Sequence, residues 1–189
     1  MKRLTTFLLS TMLTVGTAMT ANAVEYKAIQ PEKSKVTFQY KQMGVAMDGR
    51  FKKFVAQINF DPAKVASAKA EIEIDLASID AGSSDADDEV VGKTWFNVKA
   101  FPKATFVTKQ IRATDANQFD VIGVLTIKGK SRDIKFPLKL VAQGNAALLS
   151  GGFVMSRADF AIGEGIWSKF DVVANDIQVN FQLTAISGK

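Results

Sequence analysis

The chain has 189 residues, 47% of them hydrophobic, with 24 basic and 19 acidic side chains and neither histidine nor cysteine. Those two absences remove the Ser-His-Asp triad, the thiolate nucleophile, the commonest general base, the usual zinc ligands and any disulfide. The formal charge of +5 is mild and the basic residues are scattered among acids, so the clustered basic face of a nucleic-acid binder is missing and no nucleic-acid partner is expected.

The first residues read as an export signal. Lys2 and Arg3 form a charged start, Leu4 to Val15 an apolar stretch diluted by threonines, and Ala21-Asn22-Ala23 a small-x-small cleavage site. The expected division is a signal over 1–23 and one mature domain over 24–189, with cleavage after Ala23. No cysteine follows that site to carry a lipid anchor. The mature part, 166 residues with a formal charge of +3 once Lys2 and Arg3 are gone, is long enough for one domain with a real core.

Strand patterns follow. Side chains alternate faces along a strand with period two. Val36, Phe38 and Tyr40 share a face of the first run, Lys35 to Tyr40. Turn residues at Gly44 and Asp48-Gly49 lead into a second run from about Arg50 to Phe60. There Phe54, Ala56, Ile58 and Phe60 are in phase and Phe51 is not, which predicts a bulge between Phe51 and Phe54. Asp61-Pro62 opens a helical turn. The third run, Ala70 to Leu76, is the cleanest alternation, with Ile72 and Ile74 set against Glu71, Glu73 and Asp75.

A helix is expected from Ser84 to about Trp95, with Ser84 and Asp87 as a capping box and Asp85, Asp87, Asp88 and Glu89 matching the helix dipole. This acidic run lacks the alternating ligands and central glycine of a calcium loop, so no metal is expected there. Five more strands follow: Lys103 to Ile111; Phe119, Val121, Gly123, Leu125 and Ile127; Ile134 to Leu140; Leu149 to Met155; and Ile177 to Leu183. Eight strands joined mostly by short turns predict an all-β fold. It is an eight-stranded antiparallel barrel with a short helix between strands three and four, closed because closure removes exposed edges. A two-sheet sandwich is the competing architecture.

Catalytic signals are weak. Most acids fall on the polar phase of strands or at the helix start, and Gly163-x-Gly165 does not leave a strand for a helix as a dinucleotide site would. The reading is of a protein that is not an enzyme. Thirteen phenylalanines in the mature part, against two tyrosines, supply apolar rings without polar handles. A barrel of this size is either filled by such rings or hollow around one ligand, and the pattern leaves both open.

Several segments resemble one known family. They are Gly49-Arg50-Phe51, Ile74-Asp75-Leu76-Ala77-Ser78-Ile79-Asp80, Trp95 through Phe106, Gly123 through Gly129, and Arg157-Ala158-Asp159-Phe160-Ala161-Ile162-Gly163. In this order they resemble the YceI-like family across essentially the whole mature chain. Ala161 departs from the pattern, where many members carry glycine. The resemblance implies a lipocalin-like barrel that holds a polyisoprenoid or similar long amphiphile, in a protein exported to the periplasm.

The resulting expectation is periplasmic binding, transport or storage of an isoprenoid lipid of polyprenyl phosphate or quinone type. The bound lipid is a ligand and no cofactor is implied. The alternative is a filled, non-catalytic barrel that docks a redox partner or assists under stress. Transient membrane contact and a homodimer are the other partner expectations. The expected lining is Phe38, Phe54, Ile58, Ile72, Ile74, Phe106, Phe119, Val121, Leu125, Phe136, Phe153, Val179 and Phe181. Phe96, Phe101, Phe160 and Trp167 are expected at the mouth, and Arg50 and Arg157, each beside a family-like motif, as contacts for a phosphate head group.

Overall fold

In the computed structural model, which describes residues 24–188, the alternating runs become eleven strands and one short α-helix. The expected signal, 1–23, lies outside the described residues. The strands are β1 (Tyr26–Ile29), β2 (Lys35–Gln42), β3 (Val45–Phe51), β4 (Phe54–Phe60), β5 (Lys69–Asp75) and β6 (Ile79–Asp80). After helix α1 (Ser84–Val90) come β7 (Lys103–Asp115), β8 (Gln118–Ile127), β9 (Lys130–Gln143), β10 (Ala146–Ser156) and β11 (Asp176–Ser187). All pairings between these strands are antiparallel.

Eight strands close a ring, β1-β4-β5-β7-β8-β9-β10-β11 and back to β1. The expected eight-stranded antiparallel barrel is the fold, and the sandwich is not. The extra strands arise because the first three staves are each broken once. β11 pairs with β1 through Ala185 to Ser187 and with β2 through Gln178 to Gln182. Between the two, Gln30 N–H donates to the Thr184 carbonyl and Thr184 N–H donates to Ser34 Oγ, both at 2.9 Å. The second stave breaks at Lys52 and Lys53, where the bulge was expected. Their N–H groups donate to the Ser78 carbonyl at 3.0 Å and to Ser78 Oγ at 2.9 Å. The third breaks between β5 and β6 at the 3-10 turn Leu76–Ser78.

Three local expectations are corrected. The helix ends at Val90 rather than near Trp95, because the chain then folds into successive turns, with Gly92 N–H on the Glu89 carbonyl and Phe96 N–H on the Val90 carbonyl. Its cap is Ser83 rather than Ser84: the Ser83 hydroxyl accepts from Ala86 N–H, while the Asp87 carboxylate reaches back to Ala81 N–H at 2.6 Å. Gly44 turns the chain as expected, whereas Asp48-Gly49 makes no turn and lies within β3, paired with Gln39 and Phe38. Met43-Gly44 and Lys128-Gly129 have positive φ at both positions, the type I′ pattern that matches strand twist.

The interior is not uniform. In the half of the barrel that β1 closes, Tyr26, Ile58, Phe60, Phe119, Val121, Leu138, Leu140, Leu149 and Leu183 are buried and fill it. Phe60 and Phe119 meet edge to face at 5.2 Å between ring centroids. The other half, bounded by β2 and β3, is hollow.

Candidate functional site

A cavity of about 490 Å³ occupies the hollow half, a size within the ~300–1,000 Å³ of small-molecule sites. Its walls come from inward positions of eight strands: Val36, Phe38 and Tyr40 of β2, Phe51 of β3, Ile74 of β5, Ile79 of β6, Ala104 of β7, Leu125 and Ile127 of β8, Phe153 and Met155 of β10, Ile177 and Val179 of β11. Leu76, Ala81, Trp95, Phe96, Ile162, Trp167, Val173 and the α1 residues Ala86 and Val90 complete the apolar surface. Gln42, Ser83, Asp85 and Glu89, all exposed, stand where the cavity opens to water. Apolar walls with a few polar groups at one end suit an amphiphile, whose body is desolvated while its polar end stays wet.

Glycines on neighbouring strands make room for the rings. A Cβ at Gly49 would lie 2.2 Å from the Phe38 ring, at Gly123 2.4 Å from Phe106, and at Gly151 2.6 Å from Phe181. Each ring lies against the backbone of the adjacent strand where that side chain is missing. Phe136 is the hub below the cavity, 5.4 Å from Phe106, 5.6 Å from Phe153 and 5.4 Å from Phe181 between centroids. Only Phe153 of this cluster reaches the cavity, so the cluster forms its floor.

Arg157 sits in the cavity wall, 1% exposed. Its guanidinium donates to six backbone carbonyls: Nε to Ala174, Nη1 to Ile162 and Gly163, Nη2 to Trp167, Lys169 and Val173, at 2.7 to 3.2 Å. Trp95 and Phe170 lie 5.4 and 5.0 Å from its central carbon, within cation–π range. No carboxylate pairs with it among the described residues, and burial lowers its pKa. The group therefore ties the 162–174 loop into the wall and leaves no N–H free for a head group. Ala161, the departure noted in the motif, is left-handed at φ 54° as it leaves the 3-10 turn Arg157–Phe160.

Of the expected lining, the cavity receives Phe38, Ile74, Leu125, Phe153 and Val179. Ile58, Phe106, Phe119, Val121 and Phe136 are instead packed in the filled half or the floor, with Phe54, Ile72 and Phe181 half-buried against them. At the mouth, Phe96 and Trp167 line the cavity. Phe160 is fully buried and does not line it, and Phe101 lies over the Gly129 turn. Arg50 is away from the cavity: its exposed side chain donates to Asp80 at 3.1 Å and, with Lys52, holds that carboxyl below the usual carboxylate range.

Sequence reading left out Val36, Tyr40, Phe51, Met155, Ile177 and Trp95. The first five share a face or strand with residues that were selected, so the alternation contained that signal. Trp95 stood inside the quoted motif. Its ring is 5.5 Å from Trp167, whose Nε1 donates to Glu89 Oε1 at 2.7 Å, whereas Trp95 Nε1 is buried without a partner. Tyr40 donates to the Ala81 carbonyl at 2.9 Å, and burial followed by the nearby Asp87 raises its pKa.

Fold and cavity define a class: an antiparallel barrel with a mainly apolar cavity that opens to water. Residues 27–185 match the YceI-like domain, and the chain belongs to the YceI-like family. It is similar to BcnA of Burkholderia cenocepacia, with 41% identity and a TM-score of 0.81 over 83% of this chain and 99% of that one. It is also similar to the YceI protein of Campylobacter jejuni, with 26% identity and a TM-score of 0.67 over 75% and 84%. A UPF0312 protein of Yersinia enterocolitica is 32% identical over 70% of this chain and 72% of its own. A polyisoprenoid binding domain from Saccharophagus degradans shares the fold, with a TM-score of 0.67 at 17% identity, over 87% of this chain and 99% of that one.

Proposed function

We propose that this protein binds an isoprenoid lipid in its half-barrel cavity and carries or stores it outside the cytoplasm, in the periplasm, without catalysing a reaction. The observation that carries the reading is the 490 Å³ chamber, whose walls are apolar apart from Arg157 and the polar groups at its opening. The reading is supported by the polyisoprenoid binding described for the Saccharophagus degradans domain, which shares the fold. The signal pattern at 1–23 supports export.

The mechanism is desolvation. Rings and aliphatic side chains replace water around the lipid body, and ~15 methylene-sized groups at ~0.8 kcal/mol each contribute about 12 kcal/mol gross. Ordering and association offset several of these, and micromolar binding needs about 8 kcal/mol. Affinity therefore requires no head-group contact, consistent with an Arg157 whose donors are all engaged.

The test is mass spectrometry of lipid extracted from protein purified natively from its source compartment. A stoichiometric isoprenoid establishes the reading and names the ligand. A protein that is empty, and stays empty after incubation with polyprenyl lipids and quinones, returns the function to a non-catalytic barrel acting through its surface.

A further inference from the structure

We infer that an apolar ridge beside the cavity opening, built from the 43–45 hairpin tip and the 166–172 loop, is a docking surface for a lipid bilayer. The choice of a bilayer as its occupant rests on the lipid-binding reading above. Ten large apolar side chains are exposed among the described residues. Five are valines at other places, and isolated exposed apolar residues are ordinary. The other five are Met43, Val45, Ile166, Phe170 and Val172, which include all those that are not valine. The two segments that carry them are tied together. Met43 N–H donates to the Val172 carbonyl at 2.7 Å, Gln42 forms a β-bridge with Val173, and Ala174 N–H donates to the Lys41 carbonyl at 2.9 Å. Beneath them Arg157 holds the carbonyls of Trp167, Lys169 and Val173. The ridge is continuous with the cavity, because Gln42, Trp167 and Val173 line the cavity as well.

The turn itself points to a use for the exposed side chain. Met43 is left-handed at φ 50° and 76% exposed. That position of a type I′ turn favours asparagine, aspartate or glycine, and a side chain so exposed gains little packing in return. A local rule broken without a structural gain is a mark of function. Ile166, 88% exposed, stands in the 3-10 turn Gly165–Trp167, next to a residue of the cavity wall. Area and charge select the occupant. Five side chains of this size fall short by themselves of the ~800 Å² per partner that a standard protein interface buries, whereas an apolar tip enters a bilayer in proportion to whatever area it buries there. Lys41 and Lys169 beside the ridge are matched by Asp171 within it and by Asp85 and Glu89 at the opening, so positive charge is not concentrated for an anionic surface. With the ridge seated among neutral head groups, the opening lies at the membrane surface, and a lipid passes between bilayer and cavity without crossing water.

The experiment is co-flotation of the mature chain with phosphatidylcholine vesicles that contain no isoprenoid. The wild-type chain is expected to float with them, and no better when phosphatidylglycerol is added. Met43→Asn combined with Ile166→Ser is expected to lower the partition coefficient at least ~10-fold, through the apolar area removed. The urea midpoint of this variant is expected not to fall, because asparagine suits the left-handed turn position. Ile166→Ser alone, at an open surface site, is expected to change partition in the same direction. A wild-type chain that stays with the unbound fraction overturns the ridge, and so does a folded double variant that floats as well as wild type. Flotation that needs phosphatidylglycerol and disappears in salt also overturns it, since charge then holds the protein to the membrane. A dimer in sedimentation that the double variant abolishes, with no flotation, gives the ridge to a second copy and overturns the bilayer. Uptake of a polyprenol or a quinone from detergent solution is measured in parallel. Uptake without flotation overturns the ridge and leaves the lipid reading standing, and flotation without uptake does the reverse.

Discussion

Arg157 shows how a barrel wall holds a charge without an opposing charge. Six carbonyls from one loop converge on its guanidinium, and their dipoles do the work of a carboxylate. Burial of an unpaired cation is otherwise prohibitive. The planar fork matters here, because a lysine ammonium offers only three donors from one point. Arg157→Lys leaves at least half of these carbonyls unsatisfied in the wall and is expected to cost about 3 kcal/mol or more. Urea denaturation checks this: a midpoint within experimental error of wild type contradicts the assignment. The sequence marked Arg157 only through its place in a family-like motif, which made it a head-group candidate. Nothing local announced that residues 162 to 174 would fold back around it, since those partners lie up to seventeen positions away. Glycine placement was similarly silent. Gly123 and Gly151 sit in phase with apolar neighbours, and only the register against Phe106 and Phe181 shows that their missing side chains seat rings.

At the scale of the element, the staves from β8 to β11 follow the alternation closely, because each is long and has one wet and one dry face, whereas β7 changes phase at the register shift between Thr108 and Gln110. β8 is the clearest, with Phe119, Val121, Gly123, Leu125 and Ile127 all inward. The first three staves obscured it by breaking. β1 is four residues long and β6 two, too short for period two to register. Ser78 explains how breaks are tolerated: its hydroxyl accepts from Lys53 N–H at 2.9 Å and donates to the Asp75 carbonyl at 2.7 Å, bridging the second and third staves. Buried backbone groups need such partners wherever a ladder stops. Ser78→Ala is expected to cost about 2 kcal/mol, read as a lowered denaturation midpoint. An unchanged midpoint means that water takes over both bonds. The breaks shape the site, because β2, β3 and β6 leave the closed ring and bound the hollow half.

For the whole molecule, the absence of histidine makes pH behaviour simple. Asp80 and Glu164 are held below the ordinary carboxylate range, chiefly by hydrogen bonds from Arg50 and Lys128 respectively. Their folded forms release protons more readily than their unfolded forms, so their contribution is present above the unfolded pKa. It is lost as pH falls through the folded value. Lys103 is raised, chiefly by its hydrogen bond to Glu73, and contributes below its unfolded pKa and not above its folded one. Stability is therefore expected to be level from about pH 6 to 9 and to decline below about pH 4. Denaturation midpoints across that range check it, and a transition near pH 6.5 contradicts it.

By itself the sequence determined most of the residues that face inward, because alternation with period two is a local property of a strand and is lost only where the register shifts, as in β7 between Thr108 and Gln110. It also determined the family and removed histidine- and cysteine-based chemistry. What only the tertiary structure decided is which inward residues face one another and which face space. Phe119 and Phe153 read alike along their strands, yet one is packed in the filled half and the other lines the cavity. That difference comes from register between strands, from the breaks that widen one half, and from glycines that let rings lie against the backbone. All three are relations between distant segments, and no run of neighbouring residues encodes them.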